Sequence, residues 1–308
     1  MTVAEKSIDL INYTHNREAH YKTTADEIFN LINNYTERKD LLGLYSYFDK
    51  KYQLPERVVK QKIRQHIARS YLFKSGKFNS KLRIKNIPKS ILQYGALFYA
   101  LFFTKRKSKV KNFKLIIDNI CAPHELERFE KLLNLVGKDK VLCVTRDINI
   151  EQDFSKYHIY NKKLFRDINL KDLSRSIFSE FFLGIWVVLR VSIKTKVNLF
   201  PVSLQIIHSY LSSKALFESN RAQYMIQERH YDTNAVKNYM FKRLGGVAST
   251  SIQKNIFQTD PIFFYIDTDV LFSLGNDGYS RAFEYGGRID YIKPTGSLFM
   301  EYYWFNKK

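Results

Sequence analysis

Glu228-Arg229-His230-Tyr231-Asp232 places two carboxylates, a guanidinium, an imidazole and a phenol in one short run. The strand-like stretch Ala222-Gln223-Tyr224-Met225-Ile226 leads into it through Gln227. A carboxylate at a strand end, facing an open cleft, suits a general base that takes the proton from a sugar hydroxyl. His230 suits the same task, so Glu228 and His230 stand as alternative catalytic groups. Arg229 suits an anion such as a diphosphate, which its planar fork can hold in bidentate fashion, and Tyr231 lies beside it as a substrate-binding candidate. Asp232 has a plainer role open to it, the capping of the helix that follows.

The same arrangement of polar or glycine residues just past a strand recurs along the chain. Val247–Ile252 ends in Gln253-Lys254, an amide and an ammonium suited to a sugar hydroxyl or a phosphate. Asp269–Leu274 stops at Gly275, and Ile289–Ile292 runs into Pro294-Thr295-Gly296-Ser297, where a glycine lets backbone approach a ligand. Upstream, Phe113–Ile117 ends at Asp118-Asn119. Asp118, Asn119, Gln253, Lys254, Gly275, Gly296 and Ser297 are the further substrate-binding candidates. Polar groups at successive strand ends predict an open parallel sheet whose ligands lie beyond the carboxyl ends of its strands.

Three regions must position these groups. Residues 1–112 read as helical and basic, with Pro55 placed to open a helix at Glu56. That helix carries Arg57, Lys60, Lys62, Arg64 and Arg69. Residues 113–260 alternate strands with helices, and Pro201 divides the stretch 170–220 into two helices because it cannot continue the first. Residues 261–308 read as the start of a second α/β domain, entered near Pro261–Tyr265. With only eleven residues after Ser297, that second domain is expected to be incomplete.

Two apolar blocks stand out. Ile91–Phe103 holds no charge and is followed by Lys105, Arg106, Lys107, Lys109 and Lys111. Phe181–Leu189 is the second, and it reads first as a buried core helix. Both are too short to cross a bilayer. An apolar helix backed by cations fits a helix lying on anionic lipid, so those five basic residues are the candidate membrane-surface set.

The formal net charge of +20 calls for a polyanionic neighbour, either nucleic acid or the anionic cytoplasmic leaflet. Cys121 and Cys143 are the only cysteines, and they read as buried thiols in a reducing compartment. No Cys/His spacing suits a metal, and none is expected. A phosphate-loop motif, a nucleophile elbow, HExxH and GxGxxG are all missing, which argues against P-loop hydrolases, α/β-hydrolases, zinc proteases and Rossmann dehydrogenases.

In order and spacing, Glu228-Arg229-x-Tyr231-Asp232, Leu244-Gly245-Gly246, the strand closing in Gln253, Asp269–Gly275 and Pro294–Ser297 resemble the middle of a GT-B-type glycosyltransferase. The likeness is to the bacterial surface-polysaccharide and lipopolysaccharide group. It implies an N-terminal, acceptor-side Rossmann-like domain leading into a donor-side one. It further implies a nucleotide-sugar donor, a saccharide or lipid-linked acceptor, no further cofactor, and work at the inner face of the cell membrane from the cytoplasm. Lys254 stands where that group usually has histidine. Two other readings remain: a basic nucleic-acid-binding protein, though no specific recognition motif is present, and a non-catalytic membrane-associated scaffold.

Overall fold

The computed structural model describes residues 21–72, 77–78, 80–102, 110–120, 123–145, 157–161, 170–227, 233–253, 265–275, 282–283 and 285–296. Its centre is a seven-stranded, wholly parallel sheet. The strands are β1 (Lys111–Ile120), β2 (Val141–Thr145), β3 (His158–Asn161), β4 (Asn220–Gln227), β5 (Ala248–Ile252), β6 (Asp267–Ser273) and β7 (Arg288–Pro294). Their spatial order is β3-β2-β1-β4-β5-β6-β7. This is the doubly wound, Rossmann-like order, extended by one strand.

Period-two alternation explains why the sheet is buried on both faces. Ile116, Leu142, Val144 and Met225 point into one core, whereas Leu115, Ile117, Val141 and Cys143 point into the other. The second core is closed by the short helices α5 (Pro123–Glu127) and α6 (Glu130–Val136). A single helix is the expectation there; a tight turn, Phe129 N–H to Leu126 C=O at 2.9 Å, divides it and buries the Phe129 ring. Burial pushes the Cys143 thiol up to about 12, as an inert core thiol requires.

The first core is the larger. It is roofed by α1 (Tyr21–Thr36), α2 (Leu42–Tyr52), α3 (Glu56–Ser70), α7 (Leu170–Thr195), α8 (Phe200–Ser219) and α9 (Ala235–Arg243). A further helix, α4 (Ile87–Phe102), packs on α7 and α8. Pro201 sits in the first turn of α8, where its missing N–H costs nothing. The chain passes from Ser219 of α8 directly into β4, so α8 runs back beside β4 and its first half lies toward the strand's carboxyl end. Leu244-Gly245-Gly246 ends α9 as a Schellman motif: Gly246 N–H reaches Phe241 C=O and Gly245 N–H reaches Lys242 C=O. Gly245 has φ +99°, the left-handed conformation that favours glycine.

The sheet continues through the domain boundary expected near 261–265, because β6 pairs with β5 (Ser251 opposite Leu271) and β7 with β6. The early helices hold this end of the chain. Gln65 Nε2 donates to Tyr265 C=O at 2.8 Å, Asn33 Nδ2 to Tyr285 C=O at 3.1 Å, and Phe29 stacks on Tyr285 at 3.9 Å. At the amino-terminal side of β5–β7, Arg288 joins Asp267, Asp269 and Asp290, while Lys242 and Ser249 N–H also bond Asp269.

The basic helix α3 uses its charges internally. Lys60 pairs with Glu37 and Glu56, Arg64 pairs with Glu37, and Lys62 is buried. The Phe181–Leu189 block departs from the expected core helix. Phe182, Leu183 and Trp186 of α7 are exposed, together with Ile193, whereas Val188 and Val191 face the core. At about 100° per residue the exposed positions share one arc of the helix. Among the described residues no helix is long and apolar enough to cross a membrane.

Candidate functional site

Strand order reverses between β1 and β4, because β1 leads on to β2 and β3 on one side while β4 leads to β5 on the other. In such sheets the crevice beyond the carboxyl ends of the two diverging strands is where ligands bind. The register puts Asp118 opposite Gln227 at this point. Asp118, Asn119 and Gln227 are all nearly fully buried. Asn119 has φ +69°, which asparagine tolerates, and β1 shifts register against β2 there.

Helix α9 completes the crevice. Asn234 caps it, accepting from the N–H groups of Val236 at 3.2 Å and Lys237 at 3.4 Å. Thr233 Oγ1 accepts from Asp267 N–H at 3.1 Å and anchors the chain just before the cap. With the first turn so placed, Lys237 Nζ donates to Asp118 Oδ2 in a buried ion pair. Gln227 Nε2 donates to Asn238 Oδ1, and Asn238 Nδ2 donates to the Asp267 carbonyl. Gln227 Oε1 is buried and accepts no hydrogen bond among the described residues. A fixed ion pair thus stands beside a buried acceptor with no partner among the described residues, a polar set suited to a hydroxyl group.

Asp118 and Asn119 lie at this point as expected. Glu228, Arg229, His230 and Tyr231 lie outside the described residues, as do Lys254, Ser297, Lys105, Arg106, Lys107 and Lys109. Gln253 is one strand over from Gln227, and its Oε1 accepts from Leu274 N–H at 2.8 Å. That oxygen therefore ties the ends of β5 and β6 together. Gly275 and Gly296 follow β6 and β7, roughly 10 and 14 Å from β4 at about 4.8 Å per strand. Gly296 is exposed with φ +74°, so the turn itself asks for glycine. Lys111 is exposed at the opposite, amino-terminal end of β1, about 23 Å along the strand from Asp118.

Lys237, Gln227 and Asn238 are members of the site that strand-end reading passes over. Lys237 and Asn238 sit inside a helix, where they read as ordinary surface polar residues. Asn234 one turn earlier was the available signal: a strong cap residue fixes which face of α9 turns inward. Among the described residues no group of histidine, cysteine or carboxylate side chains could hold a metal ion. Comparison with protein families, with curated proteins and with solved structures finds no match.

Proposed function

We propose that the chain is the acceptor-side portion of a glycosyltransferase of surface-polysaccharide synthesis. It would move a sugar from a nucleotide-sugar to a saccharide or lipid-linked acceptor. The observation that carries this reading is the crevice at the β1–β4 reversal, where the buried Asp118–Lys237 pair stands beside the unsatisfied Gln227 Oε1. The candidate bases Glu228 and His230 follow Gln227 directly in sequence, so the acceptor hydroxyl is assigned to this crevice. Gln227 Oε1 accepts a hydrogen bond from a neighbouring hydroxyl, Lys237 fixes the Asp118 carboxylate, and the base removes the proton of the acceptor oxygen, which bonds the donor's anomeric carbon as the nucleoside diphosphate leaves.

An anionic membrane partner draws support from α7. Its exposed Phe182, Trp186 and Ile193 lie among Arg190, Lys194 and Lys196, the pattern of a face that rests on acidic lipid.

The test of the acceptor side is binding of polyprenyl-diphosphate saccharides in vesicles by the chain. Binding should depend on the saccharide and weaken about tenfold in Gln227→Leu, which removes the unsatisfied acceptor. No saccharide-dependent binding, or equal binding in wild type and variant, would sink the proposal.

A further inference from the structure

Outside the crevice, the helical layer holds a second polar space with a one-sided charge. A cavity of about 690 Å³ lies between the end of α3, the start of α8 and the 81–93 stretch. It adjoins another of about 440 Å³, and Arg69, Gln93, Leu204 and Gln205 line both. Lys81, Lys89 and His66 line the first, and Lys62 and His208 line the second. No carboxylate is among the described residues that line either one. Each of the two spaces falls in the range of ordinary ligand pockets.

The walls are fixed by hydrogen bonds. Asn198 Nδ2 donates to Lys81 C=O at 2.9 Å and to Ser90 Oγ at 3.0 Å, which clamps the 81–90 stretch to the start of α8. Ser70 Oγ donates to His66 C=O at 2.8 Å. Asn234 Nδ2 donates to Ser209 Oγ at 3.0 Å, so the cap of α9 at the crevice touches a wall residue of the cavity. The basic space therefore adjoins the capped start of α9, on the carboxyl-end side of the sheet.

Two side chains here are buried without the partners that burial demands. Lys62 is 5% exposed, and among the described residues no carboxylate pairs with it. His66 is 8% exposed; its Nδ1 meets Gln205 Oε1 at 3.1 Å, and its Nε2 has no hydrogen-bond partner. Burial lowers the Lys62 ammonium to about 7, and nearby Arg69 adds to the effect. Burial also lowers His66 to about 4, with Lys62, Arg69 and Lys81 contributing and the Gln205 contact opposing. A buried Lys62 with no carboxylate partner among the described residues is a cost to the folded chain. An anion in the cavity reverses the cost: it restores the ammonium and lets His66 protonate and donate from Nε2.

We propose that this cavity is a binding site for a phosphoryl ligand, and specifically for a diphosphate group. Lys62 and Lys89 supply point charges from two walls, and His66 supplies a directional donor from a third position. One phosphate would leave much of the space and charge unused, whereas a diphosphate spans the two adjoining parts. A nucleoside diphosphate and a lipid diphosphate share this chemistry. The site stands on its own geometry, whatever reaction the crevice performs.

The experiment is thermal unfolding with inorganic diphosphate at constant ionic strength, with sodium chloride as the control. Wild type should gain several degrees with diphosphate and nothing with chloride. Lys62→Met should be more stable than wild type without ligand and should lose the diphosphate gain. Lys89→Ala, an exposed position that does not threaten folding, should weaken binding about five- to tenfold by calorimetry, as loss of one charge-assisted contact does. Competition by uridine diphosphate against competition by a short isoprenyl diphosphate then identifies the source, and displacement by either supports the site. No gain in wild type, or an equal gain in wild type and in both variants, would overturn it.

Discussion

Lys237 and Lys62 are both buried ammonium groups on helices packed over the same face of the sheet, and their surroundings are opposite. Lys237 meets Asp118 in a direct ion pair at the sheet's carboxyl edge. Across the sheet, Arg288 is likewise matched, by Asp267 and Asp269. Lys62 has no such partner among the described residues, and its neighbour Arg69 shares its sign. Where charge supports the strands, the chain provides both members of the pair. Among the described residues that line the helical cavity it provides one sign only, and Lys62 is left for a ligand to match. Matched pairs resist removal of either partner. An unmatched cation should respond the other way.

Replacing Lys237 gives the largest effect. Lys237→Met strands the Asp118 carboxylate in the interior, and should cost about 3–5 kcal/mol in urea unfolding. The double variant with Asp118→Leu should recover much of that loss, since removing both charges is far cheaper than removing one. A single variant as stable as wild type would break the claim that this pair is matched and buried.

Arg288→Leu comes next, at roughly 2–3 kcal/mol, because charged hydrogen bonds to both Asp267 and Asp269 are lost. Its pH dependence is diagnostic. Burial pushes the Asp269 carboxyl up, but Ser249 N–H, Arg288 and Lys242 together hold it down at about 2. A carboxyl depressed in the folded state contributes stability that is fully present above its unfolded value, near 4, and is lost as pH falls toward about 2. Wild type should lose stability through that window, and Arg288→Leu should lose most of the slope.

Lys62→Met has the opposite sign. Its ammonium is lowered to about 7 in the folded chain, so the unfolded chain binds the extra proton between about pH 7 and 10. Stability without ligand should therefore rise with pH across that interval, and the cost should be complete below about pH 7. The variant should remove this slope and gain roughly 1–2 kcal/mol at neutral pH. A destabilised Lys62→Met with an unchanged slope would place a counter-charge beside Lys62 and dissolve the contrast.

The sheet was legible because its signals are local. Alternation across Leu115, Ile116 and Ile117 announces a strand buried on both faces, Pro201 announces a helix start, and Gly245 announces a helix stop. Strand ends were readable to within a few residues: the first strand, expected to close at Ile117, runs on to Ile120 through Asp118 and Asn119. What escaped depends on tertiary assembly. Lys237 and Asp118 are 119 residues apart, and nothing in either neighbourhood names the other. The cavity draws on α3 and the 81–93 stretch, which alone look like solvated basic segments, and on α8, which reads as a largely apolar helix. Residues 261–308 read as the start of a new domain, entered near Pro261–Tyr265. The hydrogen bonds from Asn33 and Gln65 that bind them to the first helices have no trace in sequence. Gln253 reads as a ligand group by position, yet its oxygen is used by Leu274 N–H.

The smallest expected effect belongs to the outer surface of the same helical layer, where charge is again of one sign. Trp186 is 61% exposed on α7, next to Arg190, and Lys194 and Lys196 follow. A ring with one wet edge beside cations gains from an acidic lipid surface through burial of the ring and about 1 kcal/mol per nearby cation. Trp186→Ser with Arg190→Glu should therefore reduce binding to vesicles containing about one third phosphatidylserine by roughly ten- to a hundredfold, and leave the thermal midpoint unchanged. Charge reversal at Lys105, Arg106 and Lys107 tests the other basic run, so the two variants compare two candidate contact faces. A loss confined to the α7 variant would extend the contrast from the cavity to the surface: the cations beside Trp186 serve an outside partner, while the sheet matches its own. Unchanged vesicle binding in the α7 variant would restrict that contrast to the cavity around Lys62.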